Sequence, residues 1–292
     1  MFNIETHIKA GSVQEAISLL MENPNARLIA GGTDVLIKLR EGKPAFRHLV
    51  DIHGLAELNG IEKLPDNTLV IGSGTTFTQA IESDIIQTHI PILTDAAGSV
   101  GGPQIRNVAT IGGNICNGVT SADSASPLFS LNALLSLQGP DGTRHLPIAD
   151  FYKGPGRVDL GPGEILTAIR IRPEDYEQAF GYYYKYAMRN AMDIATIGCA
   201  VCLKTSGGTL TDYRLAFGVA GPVPIRCREA EKAVKGHPLT PALLEKIAAT
   251  VVRDVNPRTS WRASKEFRLN IITELSKRAT KKALTRAGEE LS

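Results

Sequence analysis

The chain has 292 residues, of which 43% are hydrophobic and 21% charged, and its formal net charge is +2. These values are typical of a globular protein that buries a large core and divides into two domains. The small net charge gives no reason to expect nucleic-acid binding, and no apolar run approaches the roughly 18 residues of a membrane-spanning helix. Because the N-terminal Met1–Thr6 segment lacks the basic start and apolar core of a signal peptide, the expected location is the cytoplasm.

The first fifty-five residues are predicted to form a small α/β unit. Ser12 and Glu15 have the spacing of a capping box, which opens a helix that runs to Leu20. A β-α-β unit follows, with a strand at Leu28–Ala30, a short helix from Val35 and a strand at Leu49–Ile52.

The rest of the chain alternates between helices and antiparallel strands. Residues 60–73 alternate in polarity around a turn at Pro65-Asp66-Asn67, as a hairpin does. The other predicted elements are helices at 85–97 and 124–131, strands at 134–138, 165–171, 181–187, 194–204 and 211–219, a helix from Thr240-Pro241 to about Val255, and a last helix with Phe267, Ile271, Leu275 and Ala279 on its core face. The charged, unpatterned segment Pro173–Ala179 is the expected domain boundary.

Two glycine-centred loops are the strongest functional signal. The first, Ala30-Gly31-Gly32-Thr33-Asp34, turns from a strand into a helix, and the second, Thr110-Ile111-Gly112-Gly113-Asn114, is predicted to interrupt a β-branched stretch. Glycine lets another group approach the bare backbone, and N–H groups freed in such turns form anion sites. One such loop is most often ordinary turn chemistry, but two, with threonine and asparagine donors nearby, suit a dinucleotide. Neither loop matches the Rossmann or P-loop pattern.

The four cysteines do not form a metal or disulfide pattern. Cys199 and Cys202 have C-x-x-C spacing, but they lie in a predicted strand, where positions i and i+3 face opposite sides. Because no second pair completes a zinc or iron–sulfur site, buried apolar cysteines are favoured and no metal is expected.

No acid–base or nucleophilic constellation is visible. Asp123 follows the second loop and is either a carboxylate near a helix N-cap or a contact to cofactor hydroxyls. Lys185 and Arg189 are either exposed cations at the end of a strand or cations that stabilise charge on an electron-accepting ring. Chemistry carried by a cofactor would explain why no catalytic residues stand out.

Six segments between residues 30 and 268 carry a family resemblance: Ala30–Asp34, Gly102–Asn117, Ala122–Ala125, Gly163–Leu166, Lys185–Arg189 and Ser260–Arg268. They resemble the FAD-binding subunit of molybdenum hydroxylases, most closely the separate FAD subunit of bacterial xanthine dehydrogenases. The family also includes carbon monoxide dehydrogenase and 4-hydroxybenzoyl-CoA reductase. The resemblance extends over nearly the whole chain. The cysteine-rich insertion of the 4-hydroxybenzoyl-CoA reductase branch is not visible, which argues against that branch.

The resemblance implies an α+β fold: the FAD-binding fold of vanillyl-alcohol oxidase, with two α/β lobes and a C-terminal domain of antiparallel sheet and helices. The implied domains are residues 1–175, with lobes at about 1–55 and 56–175, and residues 176–292. The implied FAD-binding residues are Arg27, Leu28, Ile29, Ala30, Gly31, Gly32, Thr33 and Asp34 on one side of the pyrophosphate, Ala109, Thr110, Ile111, Gly112 and Gly113 on the other, Asn114, Asn117 and Asp123 at the remaining polar parts, Ile165 and Leu166 over the flavin ring, and Lys185 at its pyrimidine edge.

The implied role is electron transfer. Molybdopterin and [2Fe–2S] centres would lie on two partner subunits, and FAD would pass their electrons to NAD⁺ or oxygen, with NAD⁺ the expected acceptor. Lys185 and Arg189 are candidates for tuning the flavin, and no residue is expected to act as a catalytic acid or base. Three alternatives stay open: a self-sufficient FAD-dependent oxidoreductase of the same fold, the FAD subunit of another branch acting on carbon monoxide, a heterocycle or an aldehyde, and a flavin-free scaffold.

Overall fold

A computed structural model describes residues 3–291 of the chain. The first two residues of the N-terminal Met1–Thr6 segment, which lacks the features of a signal peptide, lie outside the described residues. Residues 3–58 form a small lobe around a three-stranded parallel sheet of order β1-β3-β2. Its elements are β1 Thr6–Lys9, α1 Val13–Glu22, β2 Arg27–Ile29, α2 Val35–Arg40, a 3-10 helix Pro44–Phe46, β3 His48–Asp51 and a 3-10 helix Ala56–Leu58. The predicted β-α-β unit is confirmed. The predicted capping box is half present: Ser12 accepts from the Glu15 N–H, but the Glu15 carboxylate accepts from the Gly11 N–H instead.

The second lobe is built on a five-stranded antiparallel sheet of order β4-β5-β10-β6-β7. Its strands are β4 Ile61–Lys63, β5 Leu69–Gly72, β6 Leu134–Gly139, β7 Gly142–Pro147, the small pair β8 Tyr152–Gly154 and β9 Arg157–Val158, and β10 Ile165–Ile171. Its helices are α3 Phe77–Glu82, α4 Asp84–His89, α5 Pro91–Gly98, α6 Pro103–Arg106, α7 Ile111–Cys116, α8 Ala125–Ser130 and α9 Ile148–Phe151. Strand β10 joins the lobes, because Ile165 packs into the core of the small lobe and Leu166 into the core of the second.

The C-terminal part is a four-stranded antiparallel sheet with helices on one face. Its elements are α10 Pro173–Tyr176, β11 Phe180–Tyr186, β12 Ile197–Ser206, β13 Thr209–Gly218, β14 Ile225–Arg226, α11 Arg228–Val234, α12 Pro241–Val251 and α13 Lys265–Arg286. Cys199 packs under the helices, whereas Cys202 packs into the core of the second lobe, so the opposite orientation predicted for the two thiols is confirmed. The sheet is therefore buried on both faces.

Two predicted helices differ from those observed. The helix expected at 85–97 is two helices that meet at Ile90, because Pro91 has no N–H to continue the hydrogen-bond ladder and instead opens the next helix. In α13, Phe267 is 43% exposed and the buried face contains Arg268, Ile272, Leu275 and Ala279. Of the predicted core face, Leu275 and Ala279 are buried as expected and Ile271 is partly buried, but Phe267 lies off that face, because a spacing of four residues drifts by about 40° per step around a helix of 3.6 residues per turn.

The end of α13 is tied to the second lobe by one arginine. The guanidinium of Arg286 donates to both carboxylate oxygens of Asp95 on α5, at 2.6 and 2.9 Å, and to the carbonyl of Gly181. Its Cζ also lies 4.7 Å from the centroid of the Tyr182 ring. Within residues 3–291, no helix has both the length and the apolar character needed to cross a membrane.

Candidate functional site

The first glycine loop connects β2 to α2 and carries a row of free donors. The backbone N–H groups of residues 30–35 find no acceptor among residues 3–291. The loop is half-buried, and Gly32 has a φ of +72°, which favours glycine. Six successive N–H groups without an acceptor among the described residues, here called the cradle, are suited to bind a phosphate or pyrophosphate.

Gly31 is required because the two loops touch. A Cβ placed on Gly31 would lie 1.8 Å from the carbonyl oxygen of Val108, so the first loop packs directly on the backbone that precedes α7. The two loops are therefore in direct contact. Within the first loop, the side chains of Thr33 and Asp34 make no hydrogen bond with any described residue.

The second glycine loop is not a strand interruption, as was predicted, but the first turn of a helix. Thr110 is the N-cap of α7, and its hydroxyl accepts from the Gly113 N–H. The N–H groups of Ile111, Gly112 and Asn114 donate to the carbonyls of Thr75, Ser73 and Thr110. The donors at the start of α7 are therefore already used within the protein, and the free donors of the cradle belong to the first loop.

Gly112 has a packing role of its own. Its Cβ would lie 2.6 Å from the carbonyl oxygen of Ser73 and 2.5 Å from the Ser73 side chain, so no larger residue fits while α7 stays in place. The sequence offered no signal for Ser73 or Thr75, because they lie almost forty residues earlier and contact α7 only in the folded chain.

Several polar side chains near the two loops already have hydrogen-bond partners within the protein. Ser124 donates to the side-chain oxygen of Asn114 at 2.7 Å, and Lys38 of α2 donates to that of Asn117 at 2.8 Å. The Arg27 guanidinium turns back to the carbonyls of Pro24 and Ala26, so it does not face the loop. Lys38, which the sequence analysis missed, therefore brings a positive charge from the first loop's helix to the end of α7.

Asp123 and Lys185 form a buried ion pair. The Lys185 ammonium donates to Asp123 Oδ2 at 2.8 Å and to the Ser99 carbonyl at 3.0 Å, and the Tyr183 hydroxyl donates to Asp123 Oδ1 at 2.6 Å. The side chains of Lys185 and Asp123 are only 11% and 9% exposed. Burial raises the pKa of Asp123, and the neighbouring Lys185 opposes that shift. Burial and the Asp123 charge raise the pKa of Tyr183 well above its ordinary value.

This pair adds to two interpretations made from the sequence. Asp123 lies next to a helix N-cap, as one interpretation had it, because it directly precedes Ser124, the N-cap of α8; its carboxylate is nevertheless bound across the fold to β11. Lys185 does not lie exposed at a strand end, and its charge is locally balanced by Asp123. Tyr183, two residues before Lys185 on the same face of β11, completes the group.

Three further predicted residues lie apart from this group. Ile165 and Leu166 are 1% and 3% exposed and pack into the cores of the two lobes, so only their backbone could contact a ring. Arg189 lies in the loop after β11, where its side chain is 68% exposed and bonds within the loop to Met192 and Asp193. Among residues 3–291, no group of three or more histidine, cysteine or acidic side chains is placed to hold a metal.

The comparisons with known proteins agree with this architecture. Residues 2–174 match the FAD-binding domain in molybdopterin dehydrogenase, and residues 182–283 match the C-terminal domain of carbon monoxide dehydrogenase flavoprotein. The chain therefore belongs to the family of FAD-binding subunits of molybdopterin-dependent hydroxylases and is an oxidoreductase subunit.

Individual relatives place the chain within that family. It is 52% identical, over 100% of both chains, to a putative xanthine dehydrogenase FAD-binding subunit of Escherichia coli K12. It is 34% identical to the glyceraldehyde dehydrogenase medium chain of Sulfolobus acidocaldarius, over 94% of this chain and 97% of that one. A carbon monoxide dehydrogenase structure from Hydrogenophaga pseudoflava superposes with a TM-score of 0.92 at 30% identity, over 98% and 99% of the two chains, which confirms the predicted α+β fold.

Proposed function

We propose that this chain is the FAD subunit of a cytoplasmic xanthine dehydrogenase, taking electrons from [2Fe–2S] centres on a companion subunit and passing them to NAD⁺. The observation that carries the proposal is the row of free N–H groups at residues 30–35, in a chain that matches a xanthine dehydrogenase FAD-binding subunit from end to end. The lower identity to the aldehyde-oxidising relative, 34% against 52%, favours the xanthine branch over that one. The four cysteines are unpaired thiols, in keeping with a reducing compartment.

The residues present fit FAD. The N–H groups of Ala30–Asp34 would bind the pyrophosphate, with the Thr33 hydroxyl as a further donor. The segment Ala109–Gly113 would support that loop from behind, and Asn114, Asn117 and Asp123 would hold the remaining polar parts, with backbone of Ile165 and Leu166 beside the ring. When bound, FAD supplies two-electron chemistry between a one-electron iron–sulfur donor and a hydride acceptor.

The protein's own part in this chemistry is binding and orientation. Lys185 is fixed by the Asp123 carboxylate and the Ser99 carbonyl, so its ammonium holds one position instead of moving with solvent. Because the ion pair is close to neutral, we expect Lys185 to orient polar groups at the pyrimidine edge more than to add net positive charge there. Arg189, the other candidate for tuning the flavin, lies on an exposed loop, and its charge is not buried.

The relatives' names support a role within a larger enzyme. Those most similar are called an FAD-binding subunit or a medium chain, which are names for parts of an assembly. We therefore propose a molybdopterin-binding and a [2Fe–2S] companion for this chain as well.

Two measurements test the function. The purified chain should show the absorption spectrum of bound FAD and no oxidation of xanthine, and the chain reconstituted with its companion subunits should reduce NAD⁺ with xanthine. A colourless chain would refute the flavin assignment and leave a scaffold. Xanthine oxidation by the isolated, metal-free chain would instead show a self-sufficient enzyme, and a reconstituted complex that uses oxygen but not NAD⁺ would refute the acceptor.

A further inference from the structure

One segment that resembles the family has no role in the FAD site. Ser260–Arg268 lies in the C-terminal part, where it leads into α13. Arg268 is only 2% exposed, and its guanidinium donates to the carbonyl of Thr196 and, at 2.9 Å, to the Ser260 hydroxyl. Its Nε is buried without a hydrogen-bond partner among the described residues. A buried guanidinium that lacks a carboxylate is costly, because desolvation is not offset by an opposite charge.

Two further arginines surround Arg268 without supplying that charge. Arg258 and Arg262 lie close enough to lower the pKa of Arg268, although burial is the larger cause. The Nε of Arg262 is also buried, and no described residue accepts a hydrogen bond from it. None of the three arginines forms an ion pair with any carboxylate in the part of the chain that the structure describes.

The acidic residues nearest in sequence are committed elsewhere. Both oxygens of Asp254 accept backbone N–H groups at the start of α11, from Glu229 and Ala230. Glu266 lies exposed in the first turn of α13, where its own backbone N–H, the Ser264 hydroxyl and Lys265 lower its pKa, and it forms no ion pair with an arginine among residues 3–291. Neither carboxylate therefore pairs with the arginines, which leaves their charges available to a carboxylate of another molecule.

The shape and composition of the surface indicate what that molecule is. Trp261 is 78% exposed, and the Arg262 guanidinium lies 4.2 Å from its ring centroid. Phe267 is 43% exposed and contacts the Tyr186 ring with the centroids 6.0 Å apart. A tryptophan that projects so far from the surface does not line the kind of concave site that encloses a small ligand. Exposed tryptophan and arginine together are typical of the energetic centre of a protein–protein interface.

We infer that Arg258, Trp261, Arg262 and Phe267 form a docking surface for an acidic segment of a companion subunit. A carboxylate of that segment would pair bidentately with Arg262 and bring the opposite charge that Arg268 lacks, while apolar side chains cover the two rings. This inference rests on the proposed function, because it requires a companion subunit.

The test compares two pairs of charge-removing substitutions. Arg258→Gln with Arg262→Gln alters the surface. Lys281→Gln with Lys282→Gln removes the same charge from exposed positions on α13 that form no ion pair with the part of the chain that the structure describes. The affinity of each FAD-loaded chain for the immobilised companion subunits is measured at low and high NaCl. The FAD-to-protein absorbance ratio and the circular dichroism spectrum show that each variant is folded. Arg268 is left unchanged, because its loss could unfold the chain.

We expect the arginine variant to bind at least tenfold more weakly at low salt and the lysine variant to bind within twofold of the unmodified chain. The difference should shrink as salt rises, because ions screen the attraction. Equal binding by the unmodified chain and the arginine variant, or equal weakening by both variants, would overturn the docking assignment while leaving the proposed function intact. If the unmodified chain binds no companion subunit, the proposed function fails and this inference fails with it.

A small anion is the competing occupant. Trp261 is the only tryptophan in the chain, so its fluorescence reports directly on this surface. Inorganic pyrophosphate and NAD⁺ are titrated into the isolated chain, and we expect no saturable change in tryptophan emission. A saturable change at micromolar concentration would assign the surface to a small phosphate ligand and overturn the docking assignment.

Discussion

The buried ion pair between Lys185 and Asp123 can be tested by a double-mutant cycle. At 2.8 Å, two unit charges attract by about 6 kcal/mol at an effective dielectric constant of about 20. Lys185→Met removes the cation at nearly constant volume and leaves the Asp123 carboxylate buried with only the Tyr183 hydroxyl as partner. Breaking a buried pair in this way costs roughly 3–5 kcal/mol, because one charge stays desolvated without its counter-ion.

This cost should be visible in the melting temperature. For a chain of this size, each kcal/mol shifts Tm by about 2–4 °C, so Lys185→Met should melt on the order of 10 °C below the unmodified chain. Asp123→Asn with Lys185→Met removes both charges and should recover most of that loss. Differential scanning calorimetry of the FAD-loaded chains measures both. Two outcomes would show that the Lys185–Asp123 pair does not stabilise the fold through its charges. In one, the double variant is as unstable as Lys185→Met; in the other, Lys185→Met melts within about 1 °C of the unmodified chain.

The pH dependence of the same variant has a defined sign. Burial raises the pKa of Asp123 in the folded chain, and Lys185 holds that rise in check. Without Lys185 the folded-state pKa should rise further, so the folded state takes up a proton that the unfolded state does not. The contribution of protonated Asp123 to the free energy of unfolding is present at acid pH and is lost as pH rises through the folded-state pKa of Asp123. The Tm deficit of Lys185→Met should therefore be small in acid and largest at neutral and alkaline pH, and a deficit that does not vary with pH would contradict the assignment.

Two other predictions follow from packing and burial. Gly31→Val places a side chain where the two loops touch, so we expect the purified variant to carry less than a tenth of the normal FAD content. Gly98→Ala, at the end of a helix with open space around the glycine, is the control and should keep its full FAD content. Normal FAD content in Gly31→Val would contradict the assignment of the first loop as the FAD-binding cradle. Burial raises the pKa of all four thiols, that of Cys116 to about 12. In the native chain the buried thiols of Cys199, Cys202 and Cys227 should therefore not react with a disulfide reagent at pH 8 within minutes, so that at most the partly exposed Cys116 reacts, and the unfolded chain should react with four equivalents. Rapid reaction of more than one native thiol would contradict this burial.

Much of the fold and part of the site follow from local sequence. Polarity alternation and turn residues placed the hairpin at 60–73 and the long strands, because each depends on residues a few positions apart. The same reasoning separated Cys199 from Cys202, since the pleat of a single strand fixes their directions. The first glycine loop was also identified from its neighbours alone, because a strand, a glycine turn and a helix in succession define both its shape and its free N–H groups.

The tertiary structure decided which polar groups remain available for binding. Gly112 and Gly113 resemble the first loop in sequence, but Ser73 and Thr75 from a distant turn take up two of the N–H groups at the start of their helix. Lys185 meets Asp123 across 62 positions, which turns a cation predicted to be exposed into half of a neutral pair. The arginines near Arg268 are the reverse case, since folding buries positive charge there and no carboxylate of residues 3–291 forms an ion pair with it. The sequence therefore determines which donors and charges exist, whereas only the folded chain determines which are satisfied, because their partners come from distant segments.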